Sequence, residues 1–233
     1  MRDRYAVVGN PVAHSKSPWI HAEFARATGQ QLEYGRIEAL LDGFERARAA
    51  QAVNTLVFND DVFGDNTDGV GLVTDIEQNL GFKLKDKQVL LMGAGGAAQG
   101  VVRSLLDAGV GRLVIANRTV SKAEALAQRF PGVRACGYEA LSGERFDLAV
   151  NATSAGLAGE SPRLPRGVLR PGMLAYDMVY GRDTPFLAAA RAAGARACNG
   201  LGMLVEQAAE SFFLWRGVRP DTRSVLERLR AAR

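Results

Sequence analysis

The sequence predicts an α/β protein of two lobes, the second of them a doubly wound, mostly parallel sheet. Two observations carry this. Across the second half, short β-rich apolar runs alternate with helix-length amphipathic segments, the pattern of strands joined by crossover helices. The first half begins the same alternation but ends it in a hairpin signal, and a helix on Leu72, Val73, Ile76 and Leu80, stopped by Gly81, connects the two. A chain of 233 residues, 47% of them hydrophobic, suffices for one large core or two modest ones.

Taken in order, Tyr5 to Val8 is an apolar run that meets Gly9-Asn10-Pro11, a buried strand entering a loop. Ser17-Pro18 reads as an N-cap followed by proline in the first turn, with Ile20, Phe24 and Ala27 on one helical face and Gly29 as the stop. A strand over 32–37 and a short helix over 41–50 follow. The run 52–58 is β-rich and turns at Asn59-Asp60 into Val62-Phe63. Beyond the connector, strands are expected at 89–92, 113–116, 147–150, 173–177 and 195–198. Helices are expected at 97–108, from Ser121 with Glu124 as a capping box, and at 185–193 before Gly194. Two last helices, 203–215 and 222–229, are expected to return to the first lobe.

The net charge of +4 comes from scattered arginines, with no basic run interleaved with aromatics, so no nucleic acid is expected as a partner. No apolar run is long enough to span a bilayer, and residues 1–9 lack a signal core. Cys136 and Cys198 stand far apart, which points to a reducing cytoplasm.

The segment Gly93-Ala94-Gly95-Gly96-Ala97-Ala98 follows a strand and opens a helix. Gly93 permits a tight turn, Gly95 lets backbone amides approach a pyrophosphate, and Ala98 allows close helix–strand packing. The next strand ends in Ala116-Asn117-Arg118-Thr119, with Lys122 behind it. An acidic residue there would repel a 2′-phosphate, whereas a guanidinium pairs with one, so the cofactor expected is NADP. Arg118 also fits as an ordinary surface arginine.

Several further motifs resemble one family, in the family's order and over nearly the whole chain. Gly9-Asn-Pro-Val-Ala-His-Ser15-Lys-Ser17-Pro, Ala52-Val-Asn54-Thr-Leu and Asn66-Thr-Asp68-Gly are similar to the substrate motifs of the shikimate dehydrogenases. Asn117-Arg118-Thr119 and Asn151-Ala-Thr153-Ser-Ala-Gly156 resemble their NADP loops, and Tyr176-Asp-Met178-Val-Tyr180 and Gly200-Leu-Gly-Met-Leu-Val-Glu-Gln207 complete the match. The resemblance implies reversible, NADP-dependent reduction of 3-dehydroshikimate to shikimate in aromatic amino acid biosynthesis. It implies that Ser15, Ser17, Asn54, Asn66, Asp68, Tyr180 and Gln207 hold the substrate, with Asp68 catalytic. Gly93, Ala94, Gly95, Gly96, Ala97, Asn117, Arg118, Thr119, Lys122, Thr153, Met178 and Gly200 would hold the cofactor. Such a pocket needs hydroxyl and amide groups that donate and accept, and these residues, with Thr55, supply them. Read without the family, Ser17 is a cap and Ser15, Asn54, Asn66 and Asp68 are turn or cap residues. His14 and His21 read as structural and Lys16 as solvated.

The resemblance implies a substrate lobe of residues 1–69 and 204–233 and a Rossmann-like NADP lobe of 70–203, with the site in the cleft between them. It also implies a cytoplasmic monomer or homodimer. One departure stands out. Between the short helix and Ala52 the family carries another strand and helix, with a lysine that acts with the aspartate as general acid/base. Here Asp42 to Gln51 runs straight into the next strand. A quinate/shikimate dehydrogenase, or an NADP- and shikimate-binding homologue without turnover, is the alternative.

Overall fold

The computed structural model of the chain describes residues 3–9, 12–38, 54–58 and 62–231. The helix expected over 41–50, residues 52 and 53, and the Asn59-Asp60 turn lie outside them. In chain order the first elements are β1 (Asp3–Gly9), α1 (Ser17–Thr28), β2 (Leu32–Glu38), β3 (Thr55–Phe58), β4 (Val62–Asp65) and α2 (Asp68–Thr74). Then come β5 (Gln88–Met92), α3 (Gly96–Asp107), β6 (Arg112–Ala116), α4 (Val120–Ala127), β7 (Arg134–Cys136) and β8 (Leu148–Asn151). The chain closes with β9 (Leu174–Asp177), α5 (Pro185–Ala192), β10 (Arg196–Asn199), α6 (Leu201–Arg216) and α7 (Thr222–Ala231). It divides into two compact units, Met1–Gly71 with Leu204–Arg233, and Leu72–Met203.

In the first unit, β1 and β2 pair in parallel with Asp3 opposite Leu32, and α1 joins them. Ile20 and Phe24, four apart, are fully buried on the inner face of α1, and each buried side chain of that size contributes about 1.5–3 kcal/mol. The helix stops at Gly29, whose φ of 66° is the left-handed conformation that an L side chain resists. Ser17 is not the N-cap. The helix begins at Ser17 after Lys16, no side chain caps it from that position, and the Ser17 amide donates instead to Ser15 Oγ at 3.3 Å. His21 lies buried in an aromatic cluster with Tyr34, Phe24, Phe212 and Trp215. The β3–β4 hairpin is antiparallel with Thr55 opposite Asp65.

The helix α2 starts at Asp68, four residues earlier than its apolar face suggested, and runs on into a π-helical turn over Asp75–Asn79. Gly69 and Gly71 weaken helix propensity in its first turn, which hid the start.

The second unit is built on a six-stranded parallel sheet in the order β10-β9-β8-β5-β6-β7. Side chains alternate across it as a strand requires. Val89 and Leu91 pack with Val101, Val102 and Leu105 of α3 on one face, while Leu90 and Met92 join Phe146 and Phe186 on the other. The short strand β7 and the 3-10 turn Tyr138–Leu141 escaped the sequence reading, being only three and four residues long. The capping box at Ser121 is absent. Val120 begins α4, Thr119 stands at its N-cap, and no side chain caps it there.

One buried polar group anchors this unit's first helical segment. Tyr176 Oη donates to Asp75 Oδ2 at 2.6 Å and Asn79 Nδ2 donates to Asp75 Oδ1 at 3.0 Å. Burial and the neighbouring Asp75 carboxylate push the Tyr176 hydroxyl well above the usual tyrosine range. Among the described residues no helix is long and apolar enough to cross a membrane, and no cluster could hold a metal ion.

Candidate functional site

In the parallel sheet, the chain moves from β5 to β6 and β7 on one side and returns to β8, β9 and β10 on the other. The switch point between β5 and β8 opens a crevice at the carboxyl ends of the strands, where open α/β sheets bind ligands. The glycine loop sits there. Gly93 has φ 109°, and a Cβ on it would lie 3.0 Å from the Ala152 carbonyl and 3.3 Å from Thr153 Cγ2, so only glycine fits. Beyond it, Gly95, Gly96 and Ala97 are exposed at the start of α3, and a Cβ on either glycine would meet nothing within 4 Å. Open space above unpaired amides at a helix N-terminus is what a pyrophosphate needs.

At the end of β6, the Asn117 amide donates to the Cys136 carbonyl at 3.2 Å, and Asn117 Nδ2 to the Thr119 carbonyl at 2.9 Å. These bonds shape the turn that presents Arg118, which is exposed, as are Thr119 and Lys122. Burial raises the Tyr138 hydroxyl's pKa, and the Arg118 charge opposes that rise, so the guanidinium lies near this ring. The residues fit an adenosine 2′-phosphate. Across β5, the Thr153 amide and hydroxyl both donate to Asn151 Oδ1, at 3.2 and 2.7 Å. Gly200 lies against Met178, with a hypothetical Cβ only 2.3 Å from the Met178 carbonyl. Tyr180 is half-buried, which raises its hydroxyl's pKa.

The first unit gathers a second set of polar side chains. Asn54 is its hub. Its Nδ2 donates to Asp68 Oδ1 at 2.9 Å, while its Oδ1 accepts from the Thr67 amide at 2.9 Å and from the Thr55 and Thr67 hydroxyls at 3.0 and 3.1 Å. Asn66 Oδ1 accepts from the Asp68 amide at 3.0 Å, which sets the carboxylate's place at the start of α2. From α6, Gln207 Oε1 accepts from Thr67 Oγ1 at 3.4 Å, and Ser211 Oγ lies 2.6 Å from Thr55 Oγ1 and 3.1 Å from Thr67 Oγ1. Close approach of the helices requires Gly71, since a Cβ there would lie 2.7 Å from the Gln207 backbone nitrogen. Burial pushes the Asp68 carboxyl above the ordinary aspartate value, opposed by the hydrogen bond from Asn54.

The fold thus brings Asn54, Asn66, Asp68 and Gln207 into one cluster. Ser15 and Ser17 form a separate small group at the start of α1, where Arg36 donates to the Ser15 carbonyl at 2.7 Å. Sequence reasoning passed over Thr67 and Ser211, both buried. Ser211 is four residues beyond Gln207 and so shares its helical face, a signal that was available.

The comparisons with known proteins agree with this geometry. The profile described as "Shikimate dehydrogenase substrate binding domain" matches residues 7–52. "Shikimate / quinate 5-dehydrogenase" matches 75–159, and "Shikimate 5'-dehydrogenase C-terminal domain" matches 200–230. A "Shikimate dehydrogenase (NADP(+))" of Methylobacillus flagellatus is 54% identical over 269 residues, covering 99% of this chain and 100% of that protein. One from Nitrosospira multiformis is 52% identical over 271 residues, covering 100% and 98%. Among solved structures, an Ael1 enzyme from Pseudomonas putida has 47% identity and a TM-score of 0.91, covering 97% of this chain and 98% of that one. Shikimate 5-dehydrogenase from Thermus thermophilus, in complex with NADP(H) and shikimate, has 33% identity and a TM-score of 0.87, covering 99% and 100%. With a glycine loop and arginine suited to NADP, an amide and carboxylate cluster suited to a polyhydroxylated ring, and relatives matched from end to end, the chain belongs to the NADP-dependent shikimate dehydrogenase family of oxidoreductases.

Proposed function

We propose that this protein reversibly reduces 3-dehydroshikimate to shikimate with NADPH. The substrate would be held by Ser15, Ser17, Asn54, Asn66, Asp68 and Gln207 of residues 1–69 and 204–233, with Tyr180 as a further contact, and the nucleotide by residues 70–203. The observation that carries this reading is the convergence of Asn54, Asn66, Asp68 and Gln207, brought from three parts of the sequence into one hydrogen-bonded group.

NADPH, when bound, supplies the hydride. The chain's own residues do the rest. The exposed amides from Gly95 to Ala97 receive the diphosphate, and Arg118, with Asn117, Thr119 and Lys122 beside it, pairs with the 2′-phosphate. Gly93 and Ala94 turn the loop towards it, and Thr153, Met178 and Gly200 line the far side. Asn54 occupies one oxygen of Asp68, which leaves Oδ2 for a substrate hydroxyl. A carbonyl that accepts hydride becomes an alkoxide and needs a proton. Asp68 would hydrogen-bond that oxygen and orient the proton that reaches it. Its raised pKa fits a carboxyl that handles a proton rather than a purely structural cap.

A second reading is favoured by length. An alignment of 269 residues takes in 99% of this chain of 233, so a few dozen positions of that relative face no residue here. We place them between the short helix expected over 41–50 and Ala52, where the family's strand, helix and lysine are expected. A chain without that lysine could bind both ligands and turn over slowly or not at all. The same reading has a cytoplasmic protein, monomeric or homodimeric, acting on a small molecule.

Two measurements separate the readings. Calorimetric titration with NADP+ and NADPH should show binding, with NAD+ much weaker. NADPH oxidation is then followed with 3-dehydroshikimate and NADP+ reduction with quinate. Tight binding of NADPH and shikimate without oxidation at any pH selects the binder, and a preference for NAD or quinate selects the quinate-type enzyme. No heat with either coenzyme overturns the reading altogether.

A further inference from the structure

Behind the strand ends that face the crevice lies a buried group that none of the binding roles above uses. Asp177 and Asn151 are both 0% exposed and Thr184 is 1% exposed. Asp177 Oδ2 accepts from Thr184 Oγ1 at 2.6 Å and from Asn151 Nδ2 at 3.2 Å, and Asp177 Oδ1 accepts from the Val179 amide at 3.0 Å. Thr184 Oγ1 in turn accepts from the Leu187 amide at 3.3 Å as the N-cap of α5. Asn151 Oδ1 accepts twice from Thr153. One carboxylate therefore ties together the end of β8, the end of β9 and the start of α5.

Two loops hang from these ties. After β8, Ala152 and Thr153 press on Gly93, and after β9 the Val179 carbonyl accepts from the Gly200 amide at 3.2 Å while Met178 packs on Gly200. A Cβ on Gly156 would meet Thr184 Cγ2 at 3.0 Å and Val179 Cγ2 at 3.7 Å, so the two loops also lie against each other. In the sheet order, Arg118 follows β6 on one side of β5, whereas both loops follow strands on the other side. A dinucleotide laid across the switch point with its adenosine phosphate at Arg118 must put its other half over β8 and β9.

We infer that Asp177, acting with Asn151 and Thr184, is a positioning residue for the nicotinamide half of the cofactor: it fixes the loops 152–156 and 178–181 in the shape that half requires. The inference rests on the nucleotide site proposed above. It assigns Asp177 no contact with the cofactor. Its carboxylate is useful because it accepts three donors at once, and an amide in its place would turn one acceptor into a donor facing Asn151 Nδ2.

The test compares NADP+ with adenosine 2′,5′-bisphosphate, which carries only the half held by Arg118 and the glycine loop. Calorimetry on the full chain should show that Asp177→Asn weakens NADP+ by about tenfold or more, the scale set by losing a hydrogen bond to a charged group. The bisphosphate should bind as it does to the wild type. The swapped pair Asn151→Asp/Asp177→Asn restores a donor facing an acceptor and should recover most of the lost affinity. Should Asp177→Asn fail to fold, Thr184→Val gives the same comparison, with Thr184→Ser as the variant that keeps the hydroxyl. Equal weakening of both ligands, unchanged NADP+ affinity, or a swapped pair as weak as the single variant overturns the inference alone. A wild type that takes up neither ligand overturns the nucleotide site with it.

Discussion

His21 is 2% exposed, stacked on Tyr34 with ring centroids 4.2 Å apart, and its Nδ1 has no hydrogen-bond partner. Burial holds its pKa down to about 3, against 6.5 in an unfolded chain. The unfolded state therefore binds the proton first as pH falls, and folding stability contributed by neutral His21 is complete above 6.5 and lost on the way down towards 3. Below 6.5 this one group should weaken folding by roughly 1.4 kcal/mol per pH unit. His21→Phe keeps the ring packing and removes the titration, so urea unfolding at pH 7 and pH 5 should differ less in the variant than in the wild type. Asp68 titrates in the opposite sense, its carboxyl keeping a proton to higher pH than free aspartate. Asp68→Asn should lower turnover by about 10²–10⁴-fold, leave NADP+ affinity unchanged and abolish the acid limb of the rate profile, as steady-state kinetics across pH would show. Asp68 and Arg118 could be proposed from the sequence because each sits inside a short motif whose neighbours give its context. Asp177 was not, because its three partners come from β8, the residues after β9 and α5, and no local pattern marks a carboxylate that meets them only in the fold.

At the scale of elements, long periodic segments were readable and their ends were not. The parallel strands β5, β6, β8 and β9 are continuous apolar runs because both faces are covered, and such runs announce themselves. The start of α2 was hidden by Gly69 and Gly71, whose low propensity argues for a loop although Gly71 is what lets Gln207 come close. The N-cap of α1 was misjudged by one residue: Lys16 stands there, no side chain caps the helix from it, and the Ser17 amide donates to Ser15 Oγ. The π-helical turn that follows α2 has a physical occupant: Asp75, bonded by Tyr176 and Asn79, lies so close to α6 that a Cβ on Gly202 would stand 1.8 Å from its Oδ1. Gly202→Ala must therefore displace a buried carboxylate, and overpacking of this kind costs about 1–3 kcal/mol. Tyr176→Phe removes a donor to Asp75 and should cost about 1–3 kcal/mol for a buried carboxylate that loses it. Thermal unfolding should show both variants melting below the wild type.

For the molecule as a whole, the described part of the first unit holds two small sheets. Among the described residues, β1 and β2 form one two-stranded parallel sheet and β3 and β4 another two-stranded sheet, with no strand between them. Parallel pairs of this size are rare alone, since parallel sheets are stabilised by neighbours and by cover on both faces. Ile37 and Leu56, on β2 and β3, are 54% and 45% exposed. We propose that the unmatched positions of the Methylobacillus relative lie between the short helix expected over 41–50 and Ala52, where the family resemblance implies a further strand, helix and lysine. Grafting the strand, helix and lysine that the family resemblance implies into this chain at that place should do two things together. It should raise the melting temperature, because strand edges gain partners and exposed apolar side chains gain cover. It should also raise turnover of 3-dehydroshikimate by about 10²–10⁴-fold, the usual worth of a positioned general acid. A grafted chain with its lysine changed to alanine separates the two effects, for it should keep the stability and lose the rate. Stability gained without any rate would mean that Asp68 and its neighbours are set for binding alone, and neither gained would overturn the placement of the missing segment.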